Sequence, residues 1–277
     1  MKETSSKAGN GKGTLAGRTP LSLHDAKPWR LRAAIFPPIS PRFLMLPLAL
    51  VIPLSALAAG PTGLLNDTGQ TACQDNSAIA ACATVATDGG THPRQDARFG
   101  RDAKAAAGTL TKTGGGAAGF DFTKMCWNGD VGGSGACTGT LVANTTGTAS
   151  GSASTDWACT RDNVTNLIWS LQSVSSTNWT DATTTHPTAM NTASRCGFAT
   201  GWRAPTRREL LSIVHLGASS PVIDGNYFPA TVSNYYWSSD VYAPGTTSAW
   251  GVHFLDGGPL AYNKPLFYYV RLVRSGP

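Results

Sequence analysis

The stretch from Gly201 to Gly217 reads GWRAPTRRELLSIVHLG. Thr206 is followed three residues later by Glu209, which is the pattern of a capping box at a helix N-terminus. Apolar residues at 210, 211, 213, 214 and 216 then form the wide stripe of a helix that packs against a core, and Gly217 is typical of a helix end. The stretch therefore predicts a capped helix that extends to Leu216.

Three arginines, Arg203, Arg207 and Arg208, lie within six residues of one another, next to Trp202. The helix dipole mildly disfavours cations in a first turn, so the helix itself does not require them. One interpretation is a solvated face, and the other is a candidate ligand-binding site in which an aromatic ring and guanidinium groups meet an anionic glycan. Arg203 has a further alternative, which is an internal role in which it stacks on a Trp and pairs with Glu209 or Asp240.

The sequence around this helix predicts an α+β domain. A short buried strand is expected at 167–169, and a helix opened by Asn178 is expected to be interrupted by Pro187. Strand-like runs follow as NYYWSSDVY, AWGVHFL and FYYVRLVR, separated by turns. Two helices and a small antiparallel sheet over residues 157–277 suffice for one modest core. The tyrosines Tyr235, Tyr236 and Tyr242 add aromatic surface, and Arg271, like Arg203, is a candidate internal arginine.

The residues before this domain have a different composition. Residues 59–125 form a Gly/Ala/Thr-rich N-terminal segment with few large apolar side chains, and residues 126–156 read as a disulfide loop and a Gly/Ser/Thr-rich linker. Residues 1–58 are interpreted as a basic disordered leader plus a signal peptide, because an apolar run at 43–57 ends in an Ala-x-Ala cleavage pattern at Ala58. Pro47 and Pro53 interrupt that run, so no transmembrane segment is expected in the mature protein.

The charge of the chain is concentrated in the leader. The formal net charge is +6, but residues 1–58 contain eight of the 22 Lys and Arg and two of the 16 Asp and Glu. The remainder therefore has 14 of each and is formally neutral, which argues against a nucleic-acid partner. Any anion binding must come from a local patch.

All six cysteines follow the predicted cleavage site, and an even number in an exported chain is typical of disulfides. Fifteen connectivities are possible, and sequence order favours the one with the bonds Cys73–Cys82, Cys126–Cys137 and Cys159–Cys196. No CxxC pair occurs and the histidines are scattered, so no metal centre is expected. The predicted location is secreted, periplasmic or associated with the cell envelope.

Several motifs in order resemble the Lcl C-terminal domain family, long catalogued as a domain of unknown function. They are DNVTNLIWS, NWTDA, RCGFATGWRAPTRRELLSIV, YFP, YYWSSDVY, AWGVHF and a final YVRLVR, over about Trp157 to Arg274. The chain departs from the family pattern at Asn166, where Gly is frequent, and at Gly201, where Asp is frequent. The second departure removes an acid beside Arg203.

The resemblance implies a C-type-lectin-like fold in a bacterial envelope or secreted protein. It also implies adhesion, since some relatives bind sulfated glycans, and it carries over no catalytic residue. The predicted function is thus a binding or adhesion module for an anionic glycan. The alternatives are an enzyme of unknown specificity and a structural or assembly domain that binds another surface protein.

Two other chemistries have candidate residues. A Ser/His/Asp arrangement could use Ser238, Ser239, Asp240 and His253, although these residues also suit strand packing. No cofactor is expected, and calcium is the one ion with candidate oxygen ligands. The calcium candidates are Asp162 with Asn163, Asp67 with Asp75 and Asn76, and Asp240 with Asp256, all of which are also common turn residues.

Overall fold

A computed structural model of the chain describes residues 66, 68–74, 79–80, 96–152 and 154–277. The predicted leader and signal peptide lie outside these residues. The elements, in chain order, are β1 (Cys73–Gln74), β2 (Ile79–Ala80), α1 (Gly100–Ala106), β3 (Phe122–Cys126), β4 (Val142–Ala143), β5 (Asp156–Asp162), β6 (Leu167–Thr177), α2 (Trp179–Thr183), α3 (Thr185–Thr192), α4 (Arg207–Leu211), β7 (Tyr235–Val241), β8 (Ser248–His253), β9 (Pro259–Asn263) and β10 (Tyr268–Ser275).

One eight-stranded sheet organises most of these elements. Its strand order is β3-β5-β6-β10-β7-β8-β9, and β4 also pairs with β5. The pairs β10–β7 and β4–β5 are parallel, and the other pairs are antiparallel. The α+β class is confirmed, but the predicted number of helices and the predicted size of the sheet are wrong. Within residues 157–277 there are three short α-helices rather than two, and the sheet is large rather than small.

The strands before α2 are longer than the sequence indicated. Residues 156–162 form β5, in which β3 pairs from Trp157 to Asp162 and β6 pairs from Cys159 to Asp162. The predicted strand at 167–169 continues to Thr177, because β10 pairs with β6 as far as that residue. These extensions depend on partners that are distant in sequence, so the local pattern of polar residues did not show them.

The helices are shorter than predicted. Asn178 caps α2 by accepting a hydrogen bond from the Asp181 N–H at 2.9 Å, as expected. The interruption falls at Thr184 rather than at Pro187, because Pro187 lies in the first turn of α3, where its missing N–H has no intrahelical partner to lose.

Helix α4 begins as predicted and ends early, at Leu211 rather than Leu216. Its continuation is prevented by bonds to distant backbone. The His215 N–H donates to Val222 O at 2.9 Å, and the Leu216 N–H donates to Thr68 O at 2.8 Å. The apolar residues Ile213 and Val214 are nevertheless buried, so the stripe marks the core and not the full helix.

A hydrophobic core lies on each face of the sheet. Alternating residues of β6 divide between them, since side chains of a strand point to opposite faces. Leu167 and Trp169 join one core with Leu210, and Ile168 joins the other core with Trp202. Phe120 and Phe122, which precede the predicted domain, are fully buried in the first of these cores.

Two disulfides have the pairing predicted from sequence order, Cys126–Cys137 and Cys159–Cys196. Cys73 is also disulfide-bonded, and its predicted partner Cys82 lies outside the described residues.

Two buried arginines donate hydrogen bonds to backbone carbonyl oxygens rather than to carboxylates. Arg271 is fully buried and donates to the carbonyl oxygens of Ser170 and Leu171 at 2.7 and 3.0 Å, so it has the internal role considered for it. Arg195 donates to the carbonyl oxygens of Asn144 and Ala158 and thereby fixes the predicted linker to the sheet. Burial lowers the pKa of Arg195 to about 10.

Candidate functional site

The candidate site begins at the N-terminus of α4, where the predicted capping box is present. The Thr206 hydroxyl accepts the Glu209 N–H at 3.2 Å, and a Glu209 carboxylate oxygen accepts the Thr206 N–H at 2.7 Å. These two bonds satisfy backbone donors that a helix start leaves without partners.

Arg203 is a structural partner of the same glutamate. Its Nη1 donates to Glu209 Oε2 at 2.7 Å, and its Nη2 donates to Oε1 at 2.5 Å, which is a forked ion pair. The hydrogen bond to Glu209 raises the pKa of Arg203. Burial alone would raise the pKa of Glu209, but the bonds from Arg203 and Thr206 together lower it. Arg203 therefore has the internal structural role that the sequence left open as one of its alternatives.

Trp202 lies in the core. Its exposed fraction is 3%, and it packs in the cluster that contains Ile168 and Trp237. The structure therefore places it away from any surface on which a sugar ring could stack.

Arg207 and Arg208 point in different directions, since successive residues of a helix differ by about 100°. The Arg207 guanidinium lies over the ring of Trp250, 4.3 Å from the centroid. The ring of Tyr242 meets Trp250 edge-on with centroids 5.2 Å apart. All three side chains are partly exposed, so a cation and two aromatic rings form one open surface, here called the Arg207–Trp250 surface.

Arg208 is exposed and borders a separate pocket of about 290 Å³. The apolar residues Leu211, Val214 and Leu216 line the pocket, with Asn66 among its polar residues. The two arginines that the sequence grouped as one site thus belong to two neighbouring surfaces.

Trp250 was missed at the sequence level. It lies in the predicted AWGVHF strand, where alternation places it on the opposite face from Ala249, which is fully buried. That alternation was a usable signal for a partly exposed ring. Of the three tyrosines predicted as aromatic surface, Tyr236 is fully buried, whereas Tyr235 and Tyr242 are partly exposed.

The comparison with protein families covers this region. Residues 158–274 match the model of the Lcl C-terminal domain. These residues form an Lcl C-terminal domain. The Lcl C-terminal domain thus contains α4, Arg207 and Trp250, while β3 pairs with its first strand from outside the matched range. No curated protein gives a significant match to the chain.

In the Lcl C-terminal domain, the candidate catalytic residues have separate structural partners. The Ser238 hydroxyl donates to Trp250 O at 2.8 Å, and the Ser239 hydroxyl donates to Pro205 O at 3.2 Å. His253 stacks on Tyr235 with centroids 4.1 Å apart and lies 3.4 Å from Asp256. Neither hydroxyl is hydrogen-bonded to the imidazole, so the arrangement is not one of a serine activated by a base.

The carboxylates considered for calcium hold backbone and hydroxyl donors. Asp162 is buried and accepts bonds from the N–H groups of Val164 and Thr165, and burial raises its pKa. Asp240 accepts the Arg207 N–H at 2.7 Å, and Asp256 accepts the Gly258 N–H at 2.9 Å. Across the described residues, no group of three or more His, Cys, Asp or Glu is arranged to hold a metal ion. The third calcium candidate, Asp67 with Asp75 and Asn76, lies outside the described residues.

Among the helices described, none has the length and apolar character needed to cross a bilayer.

Proposed function

We propose that the Lcl C-terminal domain is a binding or adhesion module of a secreted or cell-envelope protein, and that it recognises an anionic, sulfated glycan. The Arg207–Trp250 surface is the observation that carries this proposal. It combines partly exposed aromatic rings, against which a sugar can pack, with a guanidinium group whose fork of donors fits a sulfate. The fold that this proposal assumes is the C-type-lectin-like fold implied by the family resemblance.

The charge around the surface supports an anionic ligand. Within the described residues, no salt bridge neutralises Arg207 or Arg208, whereas the nearby Arg203 is paired with Glu209. Asp240 accepts the backbone N–H of Arg207 rather than its guanidinium. The disulfides support the proposed location, since such bonds persist mainly in oxidising compartments.

Binding to another surface protein is the second candidate function, and the edge of the sheet favours it. Strand β9 is at one edge of the sheet, and Leu260 on it is 48% exposed. Phe267, in the turn that follows, is 65% exposed. An edge strand with exposed apolar side chains can pair with a strand of another chain.

Retention on immobilised heparin at rising salt tests the glycan proposal. The double variant Arg207→Ala, Arg208→Ala should weaken binding by about 1–3 kcal/mol, which is the free energy that the loss of a charge-assisted hydrogen bond usually costs. Its free energy of unfolding should stay within about 1 kcal/mol of wild type, because the stack on Trp250 is the main contact removed.

The matched control is Lys264→Ala. Lys264 also lies over a tryptophan, Trp179, at 4.2 Å from the ring centroid, but on another part of the surface. This variant should elute close to wild type. Equal losses in both variants would mean that net charge alone decides retention, and an unchanged double variant would remove the Arg207–Trp250 surface from consideration.

A further inference from the structure

Two other arginines flank one position of the sheet. Arg161 on β5 is directly opposite Ile168 on β6, and Ile168 is directly opposite Arg274 on β10. Directly opposite residues of neighbouring strands place their side chains on the same face. Arg161 and Arg274 therefore lie on either side of Ile168, with backbones about 10 Å apart given the usual spacing of strands. Both side chains are partly exposed.

Neither arginine has a carboxylate partner among the residues that the structure describes. Arg161 donates from Nη2 to the amide oxygen of Asn166 at 2.8 Å, and its Nε has no acceptor. Arg274 stacks on the ring of Phe198, 3.5 Å from the centroid, and its Nε and Nη1 are covered without any acceptor. Burial lowers the pKa of Arg274. Such unpaired charged donors cost free energy that a bound anion would recover.

The residue beside Arg274 carries no side chain. Gly201 is exposed, and a Cβ built on it would lie 3.5 Å from Arg274 Nε and 3.6 Å from Nη2. A side chain at this position would face the guanidinium directly, but glycine has none. Its φ of +86° also disfavours most other residues.

The neighbouring arginine shows the contrast. The backbone of Arg203 forms an antiparallel β-bridge with Val273, and the Arg203 guanidinium is paired with Glu209. Arg274 follows Val273, so its side chain points to the opposite face of β10. The chain thus supplies a carboxylate to the arginine on one face and leaves the arginine on the other face open.

We propose that Arg161 and Arg274 form an oxyanion-binding site, in which the sulfate, phosphate or carboxylate group of a ligand occupies the space beside Gly201. Arg274 supplies its donors from Nη2, since its Nε and Nη1 are covered, and Phe198 and Asn166 hold the two guanidinium groups in place. The site is separate from the Arg207–Trp250 surface and does not depend on the function proposed for that surface.

The test uses the full chain, with disulfides intact and its arginines labelled with ¹⁵N. Sodium sulfate, inorganic phosphate and acetate are titrated separately at an ionic strength held constant with sodium chloride. The Nε–H signals of Arg161 and Arg274 should shift and saturate. The signals of the buried Arg195 and Arg271 should stay in place. The anion with the lowest Kd identifies the ligand group.

A pair of variants at one position isolates the charge. Gly201→Asp places a carboxylate next to Arg274, whereas Gly201→Asn places a neutral group of the same size at the same φ, which Asp and Asn tolerate better than most residues. We expect the Kd for the preferred anion to rise by about tenfold or more in the Asp variant, the effect of losing about one charge-assisted hydrogen bond. The Asn variant should change it by less than about threefold.

Several results would overturn this site. They are shifts of Arg161 and Arg274 that do not saturate, and equal loss of affinity in the Asp and Asn variants. Saturable shifts confined to Arg207 and Arg208 would also overturn it, while supporting the function proposed above. If Gly201→Asp displaces the signals of Arg195 and Arg271, its fold has changed, and Arg274→Gln replaces it in the test with the same expected loss.

Discussion

Glu209 performs two tasks that two substitutions can separate. It caps α4 by accepting the Thr206 N–H, and it forms the forked ion pair with Arg203. Glu209→Gln retains an amide oxygen for the cap, since Gln also serves in a capping box, but it removes the charge. Glu209→Ala removes both interactions. The difference between the variants therefore measures the cap together with the neutral hydrogen bond that the Gln amide oxygen can still accept from Arg203.

The size of each effect follows from exposure. The Arg203 side chain is 40% exposed and that of Glu209 is 15% exposed, so solvent screens the pair in part. Its loss should cost about 1–2 kcal/mol, between the value for exposed pairs and the value for buried ones. Loss of the cap should cost about 1 kcal/mol more. We expect Glu209→Gln to lower the free energy of unfolding by about 1–2 kcal/mol and Glu209→Ala by about 2–3 kcal/mol.

Urea unfolding at pH 7 under oxidising conditions measures both values. A Glu209→Gln variant as stable as wild type, or a Glu209→Ala variant no less stable than Glu209→Gln, would refute this account. The pH adds a second check. Because the pKa of Glu209 is lowered in the folded state, the unfolded state binds the proton first. The advantage of wild type over Glu209→Gln should be complete above the ordinary range of a Glu carboxyl and should decrease as the pH falls through the lowered pKa.

Three further predictions concern the core, a disulfide and the leader. Arg271→Met should lower the free energy of unfolding by about 3 kcal/mol or more in urea titrations, because it removes the donor to buried carbonyl oxygens. A loss of less than about 1 kcal/mol, as is usual for a surface substitution, would contradict this. The double change Cys159→Ala, Cys196→Ala should cost about 3–4 kcal/mol in the chain-entropy model, and it should exceed the loss from removing the shorter Cys126–Cys137 loop, with thermal unfolding as the measurement. N-terminal sequencing of exported protein should find cleavage near Ala58, and a mature chain that begins before Arg42 would exclude it.

Local signals in the sequence predicted the local features of the fold. The capping box at Thr206 and the cap at Asn178 depend on residues three positions apart, so they could be read directly. The pairing of Cys159 with Cys196 followed from the order of the cysteines alone.

Features that depend on distant partners could not be predicted in this way. The end of α4 at Leu211 is set by bonds from His215 and Leu216 to remote backbone. The same limit applies to the candidate sites. The sequence identified Arg207 as a candidate, but Arg207 lies on α4 and its aromatic partner Trp250 lies on β8, so only the fold brings the two side chains together.

The position of β10 in the sheet has a consequence for folding kinetics. This strand comes last among the elements, yet it lies at the centre, between β6 and β7. Two half-sheets, β3-β5-β6 and β7-β8-β9, can each form from strands that are close in sequence. Their junction requires contacts such as that between Arg271 and Ser170, which are 101 residues apart. Closing such long loops is slow, so the domain should complete its fold in a late step, on a scale of about milliseconds to seconds. Until that step, both half-sheets present open inner edges to chaperones, proteases or one another.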